Sequence, residues 1–161
     1  MTIRRCRDDE HDDILSIINA AAEAYRGVIP ADRWHEPYMP GDAFDRERTA
    51  GVVFWGYEDR GRLAGVMGLQ DVRDVTLVRH AYVTPAKQRD GVGGKLLRHL
   101  RQMSTKPMLV GTWAAATWAI RFYERPRLCA GVAAAQDGVA QVLLDHSGSA
   151  NRNLGRDRQS A

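Results

Sequence analysis

The spacing of apolar residues changes several times along the chain, and each change marks an element. Residues 2–7 (TIRRCR) alternate and predict a short strand. From 8 to 27 the spacing becomes helical. Ile14, Leu15, Ile17, Ile18, Ala21 and Ala22 share one face, aspartates stand ready as caps at the start, and Gly27 is a stop. Residues 28–44 carry three prolines and predict a structured loop, followed by a short helix over 43–50. Three strand-like runs come next, over 51–59, 63–72 and 75–84, the first two joined hairpin-fashion. A glycine-rich stretch leads into a helix over 92–103, a strand over 107–113 and a helix over 115–125.

A meander followed by a βαβ crossover predicts an α+β fold, with a mixed, mostly antiparallel central sheet flanked by helices. At 161 residues, 44% hydrophobic and 27% charged, the composition is that of one ordinary globular domain. The apolar runs are too short or too interrupted to span a bilayer, so no membrane partner is expected. The start turns acidic where a signal peptide needs an apolar core, and Cys6 and Cys129 form neither a metal spacing nor a disulfide framework. A cytoplasmic location and no metal are the expectations. Part of the net charge of +3 lies in the tail and says little about partners.

The chemistry concentrates between strand and helix, in "AYVTPAKQRDGVGGK", 81–95. A strand end, a short turn and a helix opening on glycines leave several backbone N–H groups pointing one way, an arrangement that binds phosphates. Side chains there would keep a pyrophosphate from the amides, and Lys87, Arg89 and Lys95 add positive charge. A glycine-rich turn that caps a helix and binds nothing has the same appearance. Two familiar phosphate loops do not fit. The P-loop's first glycine is missing and Lys95 is followed by Leu96, which also occupies the third glycine position of a dinucleotide fingerprint.

"QRDGVG", Gln88 to Gly93, resembles the Q/R-x-x-G-x-G/A signature of the GCN5-related N-acetyltransferases (GNAT), and stands where that family has it, after the fourth strand. "HAYVTPAKQ" resembles the family's fourth strand and its exit, and "FYER" its later helix. The resemblance runs from Thr2 to about Arg125. It implies an acyltransferase that uses acetyl-CoA as cosubstrate and a primary amine as acceptor, with pantetheine lying between splayed fourth and fifth strands. Tyr82 and Val83 match the backbone positions that pair with it. Gln88, Arg89, Asp90, Gly91, Val92, Gly93, Gly94 and Lys95 match the pyrophosphate loop. Tyr123 matches the tyrosine that protonates the departing thiolate, a phenol and a thiol being of comparable acidity.

The base is not fixed by the sequence. His80 shares a strand face with Tyr82 by alternation and has a suitable ordinary pKa, while Asp71, Glu23 and ordered water are weaker options. Trp34, His35 and Tyr38, with Trp55, are candidates for an acceptor wall. A CoA-binding domain without catalysis is an alternative, and a homodimer is left open. The helix 92–103 could be read as a basic nucleic-acid module, but it lacks interleaved aromatics and its leucines commit one face to a core, so no nucleic acid is expected.

The end of the chain departs from the family. After "FYER" the glycine-aromatic step is missing, and only one apolar run, 138–144, stands where two strands belong. Reading the codons one base later permits that step, which points to a frameshift from about Pro126. The expected division is thus a core over 1–125 and a divergent segment over 126–161, disordered from about 146. An incomplete or aberrant C-terminal strand pair would follow.

Overall fold

The computed structural model describes residues 1–125, 131–136 and 139–144. The chain forms β1 (Thr2–Arg5), α1 (His11–Ala22), α2 (Gly41–Thr49), β2 (Val53–Asp59), β3 (Arg62–Val72), β4 (Val75–Val83), α3 (Val92–Met103), β5 (Met108–Trp113), α4 (Thr117–Tyr123), β6 (Gly131–Gln136) and β7 (Val139–Leu144). The strands make one sheet in the order β1-β2-β3-β4-β5-β7-β6. Only β4 and β5 run parallel, because the α3 crossover returns the chain in the same direction. The fold is the α+β arrangement that the hydrophobic pattern predicts.

The sheet is covered on both faces. Ile14, Ile17 and Ile18 of α1 and Phe44 of α2 pack with Val52, Phe54 and Val66 on one side. Leu96, Leu97 and Leu100 of α3 and Tyr123 of α4 pack with Met67, Val78, Val110 and Val142 on the other. Each fully buried leucine contributes about 1.5–3 kcal/mol relative to an exposed one. This burial commits one face of α3 to the core and leaves Lys95 and Arg98 in solvent, as expected for a solvated basic face.

The predicted α1 face is the buried one, with Leu15 half-buried at its margin. Its start is secured differently from the expected aspartate cap. The Glu10 carboxylate accepts the Arg7 backbone N–H at 2.7 Å and pairs with Arg4 at 2.7 Å. The hydrogen bonds from Arg4 hold the Glu10 pKa down at about 2, and Arg4 also reaches Glu58 of β2, so strand, helix start and neighbouring strand are tied by one guanidinium.

The strand pair after α4 is present. β7 coincides with the apolar run, pairs with β5 over six residues and buries Ala140, Val142 and Leu144. β6 lies outside it as the edge strand. Its sequence, GVAAAQ, is made largely of residues with weak β-propensity, which is why only one run was legible. Cys129 and the tail expected to be disordered from about 146 lie outside the described residues.

Candidate active site

β4 pairs with β5 only over Thr76–Val78. The separation that follows has a local cause in β4. Gly68 pairs with Arg79 but Val66 pairs with Tyr82, so two steps along β3 match three along β4. The bulge is visible in the side chains: Arg79 Nη2 and His80 Nε2 lie 2.9 and 3.5 Å from the two oxygens of Glu47, so consecutive residues reach one group on one face. His80 has φ +51°, in the left-handed region that non-glycine residues rarely occupy. Opposite the bulge, a Cβ on Gly68 would stand 3.0 Å from the Arg79 carbonyl oxygen and 2.8 Å from Val52 Cγ1, so that position has room for glycine alone.

Past the bulge, β4 keeps β3 on one side and has no strand on the other. The Thr84 N–H donates to Ala64 O on the β3 side at 2.9 Å. Alternation therefore turns the Val83 N–H into the gap between β4 and β5. Gln88 closes the corner, its side-chain amide donating to Val83 O at 3.3 Å.

The gap runs into the glycine loop. A single turn over Pro85–Lys87 and left-handed backbone at Arg89 (φ +73°) and Gly91 (φ +75°) bring the start of α3 beside Val83, whose Cγ2 would stand 3.6 Å from a Cβ on Gly93. The first intrahelical bond runs from Lys95 N–H to Gly91 O, so the amides of Gly91, Val92, Gly93 and Gly94 have no partner within the helix, and no side chain caps them. The Asp90 N–H, by contrast, is bonded to Lys87 O at 3.4 Å. A Cβ on Gly94 would meet nothing, whereas one on Gly93 would stand 3.3 Å from the Phe122 ring. Gly93 thus lets α3 pack closely on α4, a reason the sequence did not disclose. Of the flanking cations, Lys87 is paired with Asp59 at 2.9 Å and Lys95 sits 5.7 Å above the Tyr57 ring.

The other end of the gap opens into a cavity of about 390 Å³, lined by Tyr25, Tyr38, His80, Tyr82, Thr112, Trp113 and Tyr123, among others. Tyr123 projects from α4 and is 5% exposed; burial pushes its pKa above the ordinary phenol value, so it stays protonated at neutral pH. Burial also raises Tyr25 and Tyr82. His80 stacks on Phe54, and burial lowers its pKa below 6.5 against the opposing pull of Glu47, leaving a neutral imidazole. Its Nε2 is buried without a hydrogen-bond partner among the described residues.

Several expectations change here. Trp55 faces the opposite side of the sheet, 6.0 Å from His99, and lines no part of the cavity. His35 is exposed and stands outside it as well. Asp71 is held by Thr76 and Lys106, and Glu23 by Arg26, so neither is placed to act as base. Trp34 supports Tyr38 at 5.7 Å without entering the lining. The sequence reading missed Tyr25, Trp113 and Glu47, for which no local motif exists. Cys6 is half-buried, and burial pushes its thiol up to about 12, which leaves it unreactive. Among the described residues no three His, Cys, Asp or Glu side chains are grouped to hold a metal ion, and no helix is long and apolar enough to cross a membrane.

Residues 50–125 match the family model described as Acetyltransferase (GNAT) domain, a stretch running from just before β2 to just after α4. That stretch resembles a GNAT acetyltransferase domain, and the architecture is the GNAT fold. Among solved structures it is similar to the PaiA N-acetyltransferase from Thermoplasma acidophilum in complex with coenzyme A, at 14% identity and TM-score 0.73, covering 89% of this chain and 97% of that one. It is similar to the ribosomal-protein-S18-alanine N-acetyltransferase from Escherichia coli, at 19% identity and TM-score 0.67, over 96% and 99% of the two chains. It also resembles yncA from Salmonella typhimurium, solved with its cofactor acetyl-CoA, at 19% identity and TM-score 0.60, over 95% and 98%. No curated protein matches by sequence.

An NMR titration of the native chain should give His80 a pKa below 6.5. Glu47→Gln should lower it further, because the carboxylate that favours the imidazolium is removed and Arg79 is left unpaired beside it. A rise in Glu47→Gln would contradict this account of the pair.

Proposed function

We propose that the chain is an acetyl-CoA-dependent N-acetyltransferase that moves an acetyl group directly to a primary amine of a small molecule or peptide. The observation that carries this reading is the continuity of two features: a strand edge turned into the β4–β5 gap at Val83, and four unpartnered amides at Gly91–Gly94 at its mouth. An extended pantetheine arm fits the first and a pyrophosphate the second. Open space at Gly94 and the absence of a capping side chain make the cradle accessible.

Acetyl-CoA supplies the reactive thioester. In this reading the Val83 N–H holds the thioester carbonyl oxygen where negative charge develops. Tyr82 contributes its place in β4 and its ring to the wall of the cavity, and Gln88 steadies the corner through Val83 O. The amides of Gly91–Gly94 hold the pyrophosphate; Arg89 and Lys95 contribute charge, while Asp90, its own amide already bonded, serves the turn. His80, kept neutral by burial, takes the proton the amine must lose, and Glu47 at 3.5 Å stabilises the imidazolium that forms. As the nitrogen–carbon bond forms and the carbon–sulfur bond breaks, Tyr123 gives its proton to the leaving sulfur. That both His80 and Tyr123 line the same cavity favours turnover over a domain that only binds CoA. We read the reaction as cytoplasmic.

Gly94→Glu adds an acidic side chain beside the four amides, at a position where a Cβ meets no protein atom within 4 Å. It should leave the fold intact and abolish binding. In a thermal-shift assay, acetyl-CoA at a hundred times its Kd should stabilise the native chain by about 2.7 kcal/mol and the variant by nothing measurable. Equal stabilisation of both would mean that the pyrophosphate binds elsewhere.

We further propose that 1–125 are the acetyltransferase core and that 126–161 follow a change of reading frame near Pro126, on the strength of the missing glycine-aromatic step. Resequencing the gene across the codons for 124–128 decides this. An unambiguous in-frame read sinks the idea.

A further inference from the structure

The acceptor end of the cavity is built from rings and carries no free charge. Tyr25 leaves the end of α1, Tyr38 comes from the loop before α2, Tyr82 from β4 and Trp113 from the end of β5, so four separate segments converge. Tyr25 stands 5.9 Å from Tyr38 and 6.3 Å from Tyr82, and Tyr38 stands 6.5 Å from Tyr82. The two contacts with Tyr82 are edge-to-face, at 81° and 71°, so the phenols meet as a corner and not as a stacked slab. The Trp113 Nε1–H donates to the Tyr38 hydroxyl at 3.3 Å and fixes the loop across the gap. On the α4 side Trp118 stacks on Tyr25 at 5.7 Å.

The charges around this corner are already balanced. None of the described lining residues is Asp, Glu or Lys. The single lining cation, Arg79, is bonded to Glu47 at 2.9 Å and to Gln70 at 3.0 Å. Burial keeps the phenols of Tyr25, Tyr82 and Tyr123 neutral and His80 uncharged at neutral pH. A polyamine needs carboxylates for its second and third ammonium groups, and an amino-acid acceptor needs a free cation for its carboxylate; the described wall offers neither. What it offers is a lining of aromatic rings, a kind of surface that attracts one ammonium and packs an apolar body.

We propose, on the basis of the acetyltransfer reading above, that the acceptor is a monoamine with a single positive charge and an aromatic body, of the arylalkylamine class. The ring corner holds the ammonium and the aryl group together, and His80 stands in the same cavity to receive the proton. The cavity, about 390 Å³, is of the size of small-ligand sites.

Two measurements on the full chain test this. The first compares acetyl-CoA-dependent acetylation of 2-phenylethylamine, spermidine and glycine by release of free thiol. The second measures binding of trimethyl(2-phenylethyl)ammonium, which cannot be acetylated, by quenching of tryptophan fluorescence. 2-Phenylethylamine should exceed the other two in kcat/KM by about tenfold or more, and the quaternary cation should bind. Tyr25→Leu should weaken both by about tenfold while Tyr25→Phe, which keeps the ring, stays near the native values. Turnover that prefers spermidine or glycine, or no binding of the quaternary cation, overturns the acceptor class and leaves acetyl transfer standing. Binding of the cation with no acetylation of any amine upholds the ring corner and overturns the acetyltransferase reading.

Discussion

His80 holds a left-handed backbone conformation in the middle of a strand, and most of the candidate site follows from that residue. Such a conformation costs about 1–3 kcal/mol outside glycine, so the surroundings must fix it. Here Phe54 stacks on the imidazole, Glu47 takes Arg79 and faces His80, and Gly68 makes room on the neighbouring strand. The extra residue ends the pairing of β4 with β5 after Val78. It also resets the alternation so that Val83 turns its amide into the gap. A regular β4 would pair with β5 along its length and close the space in which both the cavity and the strand edge lie.

The glycine loop depends on the same strand from its other end. A short turn with positive φ at Arg89 and Gly91 carries the chain from Val83 to the start of α3, where four amides are left without a partner in the helix. The leucines of α3 then fix the helix against the sheet. The electrostatic result is a divided site: partial positive charge from the helix start at the mouth and neutral rings at the acceptor end. In the proposed reaction the anionic cosubstrate and the singly charged amine therefore share no counter-charge.

Much of this was legible in the sequence because it is local. The periodicity of α1 and α3, the hairpins and the turn-glycine-helix order depend on neighbours in the chain, and each took the position its spacing predicted. Tyr123 and His80 were named as individual residues, and the structure brings both to one cavity. What escaped was set by packing between distant segments. The bulge in β4 shows in no residue pattern, since His80 is not glycine. Gly93 read as a phosphate contact; that a Cβ there would also press on the Phe122 ring at 3.3 Å is not visible in the local pattern. Trp55 looked like acceptor wall because it is a large aromatic, yet strand parity puts it on the α3 face. Tyr25, Trp113 and Glu47 act together only once α1, α2 and β5 have been assembled around β4.

The central claim is that the break in β4 creates one continuous binding path, from the Val83 amide to the amides of Gly91–Gly94. A titration of the ¹⁵N-labelled chain with acetyl-CoA measures this directly. The account predicts downfield amide-proton shifts at Val83 and at Gly91, Val92, Gly93 and Gly94 in the same saturating transition, with the amides of β1 and β2 unmoved. Saturable binding that leaves Val83 and the four loop amides where they were, or a folded chain that does not bind at all, would contradict it.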